Sequence, residues 1–125
     1  MATRRSVLQT GAAAVVILGA GAAAWSLTRA PTQAREPWSK AGTSFGDARL
    51  DALSYAILAP NPHNMQPWRI RLDGKDALSV YCDLDRLLPQ TDPPNRQITI
   101  GFGCFLELLR QAAANKGIRT EVTPF

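Results

Sequence analysis

Apolar positions along the chain fall into distinct regimes. Residues 11–27 form a run rich in Ala and Gly with no charged side chain. It has no polar face, so it does not read as an amphipathic core helix. Its 17 residues sit at the short end of what spans a bilayer. Residues 32–45 are rich in Pro, Gly, Ser and Thr and read as a linker. A domain then starts near Gly46, with Asp47 as a helix N-cap. Leu50, Leu53, Ser54, Ile57 and Leu58 follow at helical spacing, and Pro60 stops that helix.

Further on the period changes to two. Trp68, Ile70 and Leu72 alternate with Arg69 and Arg71, and Leu78, Val80 and Cys82 alternate with Ser79, Tyr81 and Asp83. With a turn at residues 73–76, this predicts an antiparallel hairpin. Residues 87–95, with Pro89, Pro93 and Pro94, predict a loop. Residues 96–116 predict the longest body helix, striped by Ile98, Phe102, Phe105, Leu109 and Ala112. Ile100, Leu106, Leu108 and Ala113 widen the stripe, which predicts burial on two sides. Gly101 and Gly103 each cost roughly 1 kcal/mol in a helix interior, so a close approach is expected there. Gly117 stands where a helix-ending glycine belongs, and residues 118–125 read as the start of another strand. Helices and a hairpin in this order predict an α+β fold behind an N-terminal apolar helix.

Charge adds little. The chain has 125 residues and a formal net charge of +4. With Arg4, Arg5 and Arg29 of the first segment set aside, the 14 basic residues fall to 11 against 10 acidic ones. A body so nearly neutral argues against nucleic-acid binding. Cys82 and Cys104 show no CxxC spacing and no neighbouring His/Cys cluster, which argues against a metal site. They read as one disulfide in an exported chain, or as two small buried side chains. There are no internal repeats.

The leader carries its own motif. Thr3-Arg4-Arg5-Ser6-Val7-Leu8-Gln9 resembles a twin-arginine export signal, with Arg4 and Arg5 as its defining pair. Two fixed positive charges stay cytoplasmic while a weakly apolar helix enters the membrane. The expected organisation is a signal or retained membrane anchor over residues 1–34, a linker over 35–45, and a domain over 46–125. The resemblance implies the twin-arginine translocase as a partner and an extracytoplasmic location, with residues 11–27 as the anchor if uncleaved. That route carries folded proteins, often with a cofactor already bound.

The segment with the most chemistry is Ala59-Pro60-Asn61-Pro62-His63-Asn64-Met65-Gln66-Pro67-Trp68. Three prolines stiffen it, so it loses little entropy on ordering. Asn64 and Gln66 offer amides that both donate and accept. By residue type alone this is a flavin-edge contact or a structural turn. Helix, Ala-Pro, Asn-x-Gln-Pro-Trp, then strand, resembles the nitroreductase superfamily. Asp83, Asp85, Arg86, Leu88-Pro89, Thr91-Asp92 and Arg96 are similar to the exported actinobacterial branch of it.

The resemblance implies a partial nitroreductase-like, FMN-dependent fold that binds FMN through Pro60, Asn61, Pro62, His63, Asn64 and Gln66. Arg96, at a helix start, is the candidate for the flavin phosphate. Asn61 stands where the family has Ser. The family's Arg-x-Ser motif has no counterpart, because Arg49 lies in a different context. His63, the one histidine, reads as a general acid, a flavin-edge contact or a solvated loop residue. Arg69 and Arg71 read as solvated strand-face residues or as a pair that reaches a phosphate, and Trp68 as core. No catalytic side chain stands out, as expected where the cofactor carries the reaction. The implied activity passes electrons from NAD(P)H through flavin to a small nitro- or quinone-like aromatic acceptor, in a homodimer when full length. Because such proteins are longer, the chain is expected to be the N-terminal portion of one. A flavin-sequestering protein without turnover and an inert fragment are the alternatives.

Overall fold

The computed structural model describes residues 3–124. It contains α1 (Arg4–Thr28), α2 (Thr32–Lys40), α3 (Ala48–Ala56), β1 (Trp68–Asp73), β2 (Ala77–Cys82) and α4 (Arg96–Asn115). Single 3-10 turns occupy Pro62–Asn64 and Leu84–Arg86. The chain divides into two compact units, Met1–Arg35 and Glu36–Phe125.

The first unit is dominated by α1. Thr3 caps it, its hydroxyl accepting from the Ser6 amide. At 1.5 Å per residue its 25 residues extend about 37 Å, longer than a bilayer's hydrocarbon core. Val15, Val16, Ile17 and Leu18 on it are exposed. By length and composition the helix can cross a membrane, as a signal sequence can. At its end the Arg29 guanidinium lies 4.3 Å from the centre of the Trp25 ring, a cation–π contact.

Residues 32–40, expected as irregular linker, are helical. Ala34, Arg35, Glu36 and Lys40 are good helix formers, and Glu36 pairs with Lys40 one turn on. Pro37 lies inside the helix and removes one of its backbone donors.

The body core forms where α3 crosses α4. Ala52, Leu53, Ala56 and Ala59 meet Phe105, Leu109 and Ala113. The small residues of α3 let the larger side chains of α4 approach closely. Asp47 caps α3 as expected, accepting from the Arg49 amide at 2.9 Å. Leu50, expected on the apolar stripe, is exposed; Ser54, also on that stripe, is buried, and so is Asp51, which lay off it. Asp51 accepts from the Phe45 amide at 2.6 Å and pairs with Lys116, while Ser54 accepts from the Gly42 amide. The contact face of α3 is therefore partly polar, turned toward the incoming chain.

The hairpin is antiparallel, with Trp68 opposite Cys82, Ile70 opposite Val80 and Leu72 opposite Leu78. Trp68, Ile70, Leu78 and Val80 pack on the core, while Leu72 near the turn is exposed. The hairpin end is tied to α3 by Arg49, whose Nη1 donates to the carbonyls of Asp73, Gly74 and Ala77. Arg49 thus has a structural role that its sequence context left unexplained. Cys82 and Cys104 are free thiols, and burial pushes the Cys82 thiol up from its usual range.

Two further expectations differ. The buried positions of α4 form one row, Ile98, Gly101, Phe105, Leu109 and Ala113, and not two faces. Ile100 on the far side is 58% exposed. α3, the hairpin and the 61–62 turn all approach from the same side, so the wide apolar stripe is only partly covered. Residues 118–124 form no strand, for want of a pairing partner among the described residues; Phe125 lies outside them. The end of α4 does follow the sequence. Gly117 has φ +73°, its amide donates to Ala114, and the Ile118 amide donates back to Ala113. This is a Schellman closure.

Candidate functional site

Residues 59–67 connect α3 to β1 as a tight, strained loop. Ala59 and Pro67 are buried at its two ends, while Pro60, His63, Asn64 and Gln66 are exposed between them. Three of its residues other than glycine adopt left-handed backbone: His63 at φ 50°, Asn64 at 53° and Gln66 at 48°. Each costs about 1–2 kcal/mol for an L-residue, so surrounding contacts must hold them. Asn tolerates this conformation better than most.

Asn61 supplies one of those contacts. Its Oδ1 accepts from the Gln66 amide at 2.8 Å, and its Nδ2 donates to the Ala59 carbonyl at 3.1 Å. Both ends of its amide are used inside the loop, so Asn61 braces it and has no hydrogen-bonding atom left idle. Backbone bonds from Asn64 to Asn61 and from Met65 to Pro62 tighten the turn. α4 backs the loop at Gly101, where an added Cβ would stand 3.4 Å from the Asn61 Cβ and 3.5 Å from the Pro62 Cδ. The close approach expected of Gly101 is therefore at this loop. Gly103 faces open space and makes none.

The exposed edge carries an amide pair. Gln66 Nε2 donates to Asn64 Oδ1 at 3.2 Å. That leaves Asn64 Nδ2 as a donor and Gln66 Oε1 as an acceptor, both on exposed residues. His63 lies exposed next to them. Below, Trp68 packs edge-on to Phe102 with ring centres 6.3 Å apart and tilted against Phe105 at 4.9 Å. Trp68 is a wall of the core, as expected from its place in the strand.

Arg96 is exposed, at the start of α4. The helix N-terminus beside it is already filled. Asp92, 3% exposed, accepts through Oδ1 from the Arg96 amide and through Oδ2 from the Gln97 and Ile98 amides, at 2.8–3.1 Å. The next amide, of Thr99, donates to the Asn95 carbonyl. A phosphate drawn by backbone donors at this helix end would meet a carboxylate in its place. Only the Arg96 side chain remains available to an anion. Sequence reasoning assigned this helix no cap, and Asp92 stands four residues before its start. Asn95 sits at φ 56° without a side-chain cap.

A second residue missed in its role is Arg86. From the turn after β2 its Nη1 donates to the carbonyls of Met65 at 3.1 Å and Gln66 at 3.4 Å. The structure thus brings together Asn61, Pro62, His63, Asn64 and Gln66, adds Arg86, and leaves Arg96 anchored to a helix start that Asp92 occupies.

Comparison with known proteins gives the same direction. The relatives include two Mycobacterium tuberculosis proteins. "Putative NAD(P)H nitroreductase acg" is 34% identical over 79 residues, 63% of this chain and 24% of that protein. "Putative NAD(P)H nitroreductase Rv3131" is 34% identical over 85 residues, 66% of this chain and 24% of that protein. "Probable NAD(P)H nitroreductase PigM" of a Serratia species is 31% identical over 75 residues, 59% of this chain and 21% of that protein. The chain thus spans about a quarter of the length of the curated relatives it matches. No family model and no solved structure matches it. The mixed helix-and-hairpin body is compatible with part of a nitroreductase-like fold, and these distant relatives support the nitroreductase superfamily.

Proposed function

We propose that the body of this chain forms one wall of an FMN site in an oxidoreductase of nitroreductase type, with NAD(P)H as electron donor and a small nitro- or quinone-like aromatic as acceptor. The observation that carries this is the outward-facing Asn64–Gln66 amide pair, held on a loop of left-handed residues. A flavin's pyrimidine edge alternates carbonyl acceptors with an N–H donor. A hydrogen-bonded amide pair with one donor and one acceptor left over offers both kinds of partner to such an edge. His63 borders the same edge, and Pro60 and Pro62 stiffen the approach. The ring edge therefore fits this segment. The phosphate does not fit the amides of α4, because Asp92 fills them, so Arg96 would act through its guanidinium alone.

When bound, the flavin supplies the hydride chemistry. The residues here bind and orient its edge, and no side chain of the loop is needed as acid or base. The relatives' names, which mention NAD(P)H and nitroreductase, support the activity class. A single exposed loop covers only one side of a flavin, so further protein, such as a second subunit, would close the site.

The same reading assigns residues 1–34 as a twin-arginine signal or retained anchor, and residues 46–125 as the flavin-binding body. The segment between is shortened by α2 to residues 41–45. Arg4 and Arg5 in the first turn of an apolar helix support export by the twin-arginine route. Replacing both with Lys should leave a reporter fused to residues 1–45 in the cytoplasm; unchanged export would sink that assignment. For the site, the protein purified from cells is titrated with FMN, then mixed anaerobically with NADPH or NADH. Saturable quenching of flavin fluorescence followed by bleaching of the yellow absorbance is the expected result. Binding without bleaching would favour a flavin-sequestering protein, and no binding would sink both.

A further inference from the structure

We propose that Arg86 is the positioning residue of the 61–67 loop, holding its left-handed turn in the form that presents the Asn64–Gln66 amide pair; as a statement about ligand binding this rests on the flavin reading above. The hairpin register explains how Arg86 arrives there. Trp68 pairs with Cys82, so the residue after β2 lies alongside the residue before β1. The Asp83 amide donates to the Pro67 carbonyl at 2.6 Å and extends the ladder by one bond. Asp83 then caps the following turn, accepting from the Asp85 amide, and its carboxylate stands 3.5 Å from Arg86 Nε.

That turn swings the guanidinium back over the loop. There Nη1 spans two consecutive carbonyls, those of Met65 and Gln66. Consecutive carbonyls converge on one donor only in a tight turn, so the contact selects the local backbone conformation. Gln66 is the third of the left-handed residues, and its own amide is held from the other side by Asn61. Arg86 and Asn61 thus grip Gln66 through its carbonyl and its amide. Neither bond uses the side-chain amides of Asn64 or Gln66, which stay free for a ligand. Released from Arg86, Gln66 would relax toward ordinary backbone and carry its side chain away from Asn64.

The test uses the full chain and its R86A and R86K variants. One arm follows hydrogen exchange of the Gln66 amide by NMR without ligand. The other follows FMN affinity by fluorescence quenching. Two charge-assisted hydrogen bonds, partly exposed, correspond to roughly a tenfold effect. R86A should therefore speed Gln66 exchange about tenfold and weaken FMN binding about tenfold, at an unchanged unfolding midpoint for the α3–α4 core. R86K, which restores a cationic donor, should recover part of both. Unchanged exchange at Gln66 in R86A overturns the proposal. Faster exchange with unaltered FMN affinity overturns it too, because the loop form would then not matter to the ligand. If the wild-type chain binds no FMN, the flavin reading fails and the ligand half of the proposal with it; the exchange arm still decides whether Arg86 holds the loop.

Discussion

Asp92 and Asn61 hold different parts of the site through their side-chain oxygens, and each makes a prediction. Asp92→Ala removes an acceptor shared by three amides at the start of α4. A lost helix cap costs about 0.5–2 kcal/mol, and the burial of Asp92 puts this one at the upper end. Urea unfolding should show a loss of about 2 kcal/mol; a loss under about 0.5 kcal/mol would mean that water replaces the carboxylate freely. Asn61→Ala should cost less, about 1 kcal/mol, because the Gln66 amide it frees is already exposed. Its main effect should appear in ligand binding: several-fold weaker FMN affinity by fluorescence titration, against no change if the loop keeps its shape unaided. The site was legible as a segment, since Asn64, Gln66 and the three prolines could be picked out by residue type and family likeness. What each amide does was not legible. Asn61 spends both its polar atoms on Ala59 and Gln66, and those bonds exist only because His63, Asn64 and Gln66 turn left-handed.

Among the elements, α4 offers a test of the difference between its two internal glycines. Gly103 is exposed, and a Cβ there would meet nothing within 4 Å. Gly103→Ala should therefore stabilise the body by about 1 kcal/mol through helix propensity alone. For a body of this size that corresponds to a rise of roughly 4–8 °C in Tm by calorimetry. A fall would mean that something covers this face. A larger side chain at Gly101 should do the opposite, since Gly101→Leu would drive into Asn61 and Pro62 and displace the loop. The period-two and helical patterns identified α3, the hairpin and α4, because each element repeats its apolar residues long enough to declare its type. They failed where no period existed to read. Residues 32–40 form a helix that buries no residue and carries an exposed Glu36–Lys40 pair, so no apolar stripe announced it. Leu50 and Leu72 carry the right period yet lie exposed, since a pattern names a face but not how far the neighbouring element extends over it.

At the scale of the whole body, the Asp51 carboxylate joins three parts of the chain. It sits on α3, accepts from the Phe45 amide of the incoming segment, and pairs with Lys116 at the end of α4. The Lys116 ammonium, with the Phe45 amide second, holds the Asp51 carboxyl below its ordinary range. Asp47, beside Arg49, is lowered to about 2, and Glu107, beside Arg110, also to about 2. A carboxyl with a depressed folded pKa stabilises the fold above its unfolded pKa, near 4, and that contribution is lost as pH falls through the folded value. Body stability should therefore hold from neutral pH down to about 4 and decline from there toward 2. Near-UV circular dichroism, which follows the Trp68–Phe105 packing, gives the midpoint at each pH. Asp51 is 5% exposed, so its share should stand out from that of the half-buried Asp47–Arg49 pair and still more from the exposed Glu107–Arg110 pair. Asp51→Asn keeps an oxygen for the Phe45 amide but cannot pair with Lys116, so it should lower stability at pH 7 and flatten the decline between about pH 4 and 2. Lys116→Ala leaves the carboxylate buried without its cation and raises its folded pKa, so it should lower stability at pH 7 and shrink the share of Asp51 in the decline between about pH 4 and 2. An acid profile that is the same in all three proteins would show that the Asp51–Lys116 pair does not join α3 to the end of α4 in solution.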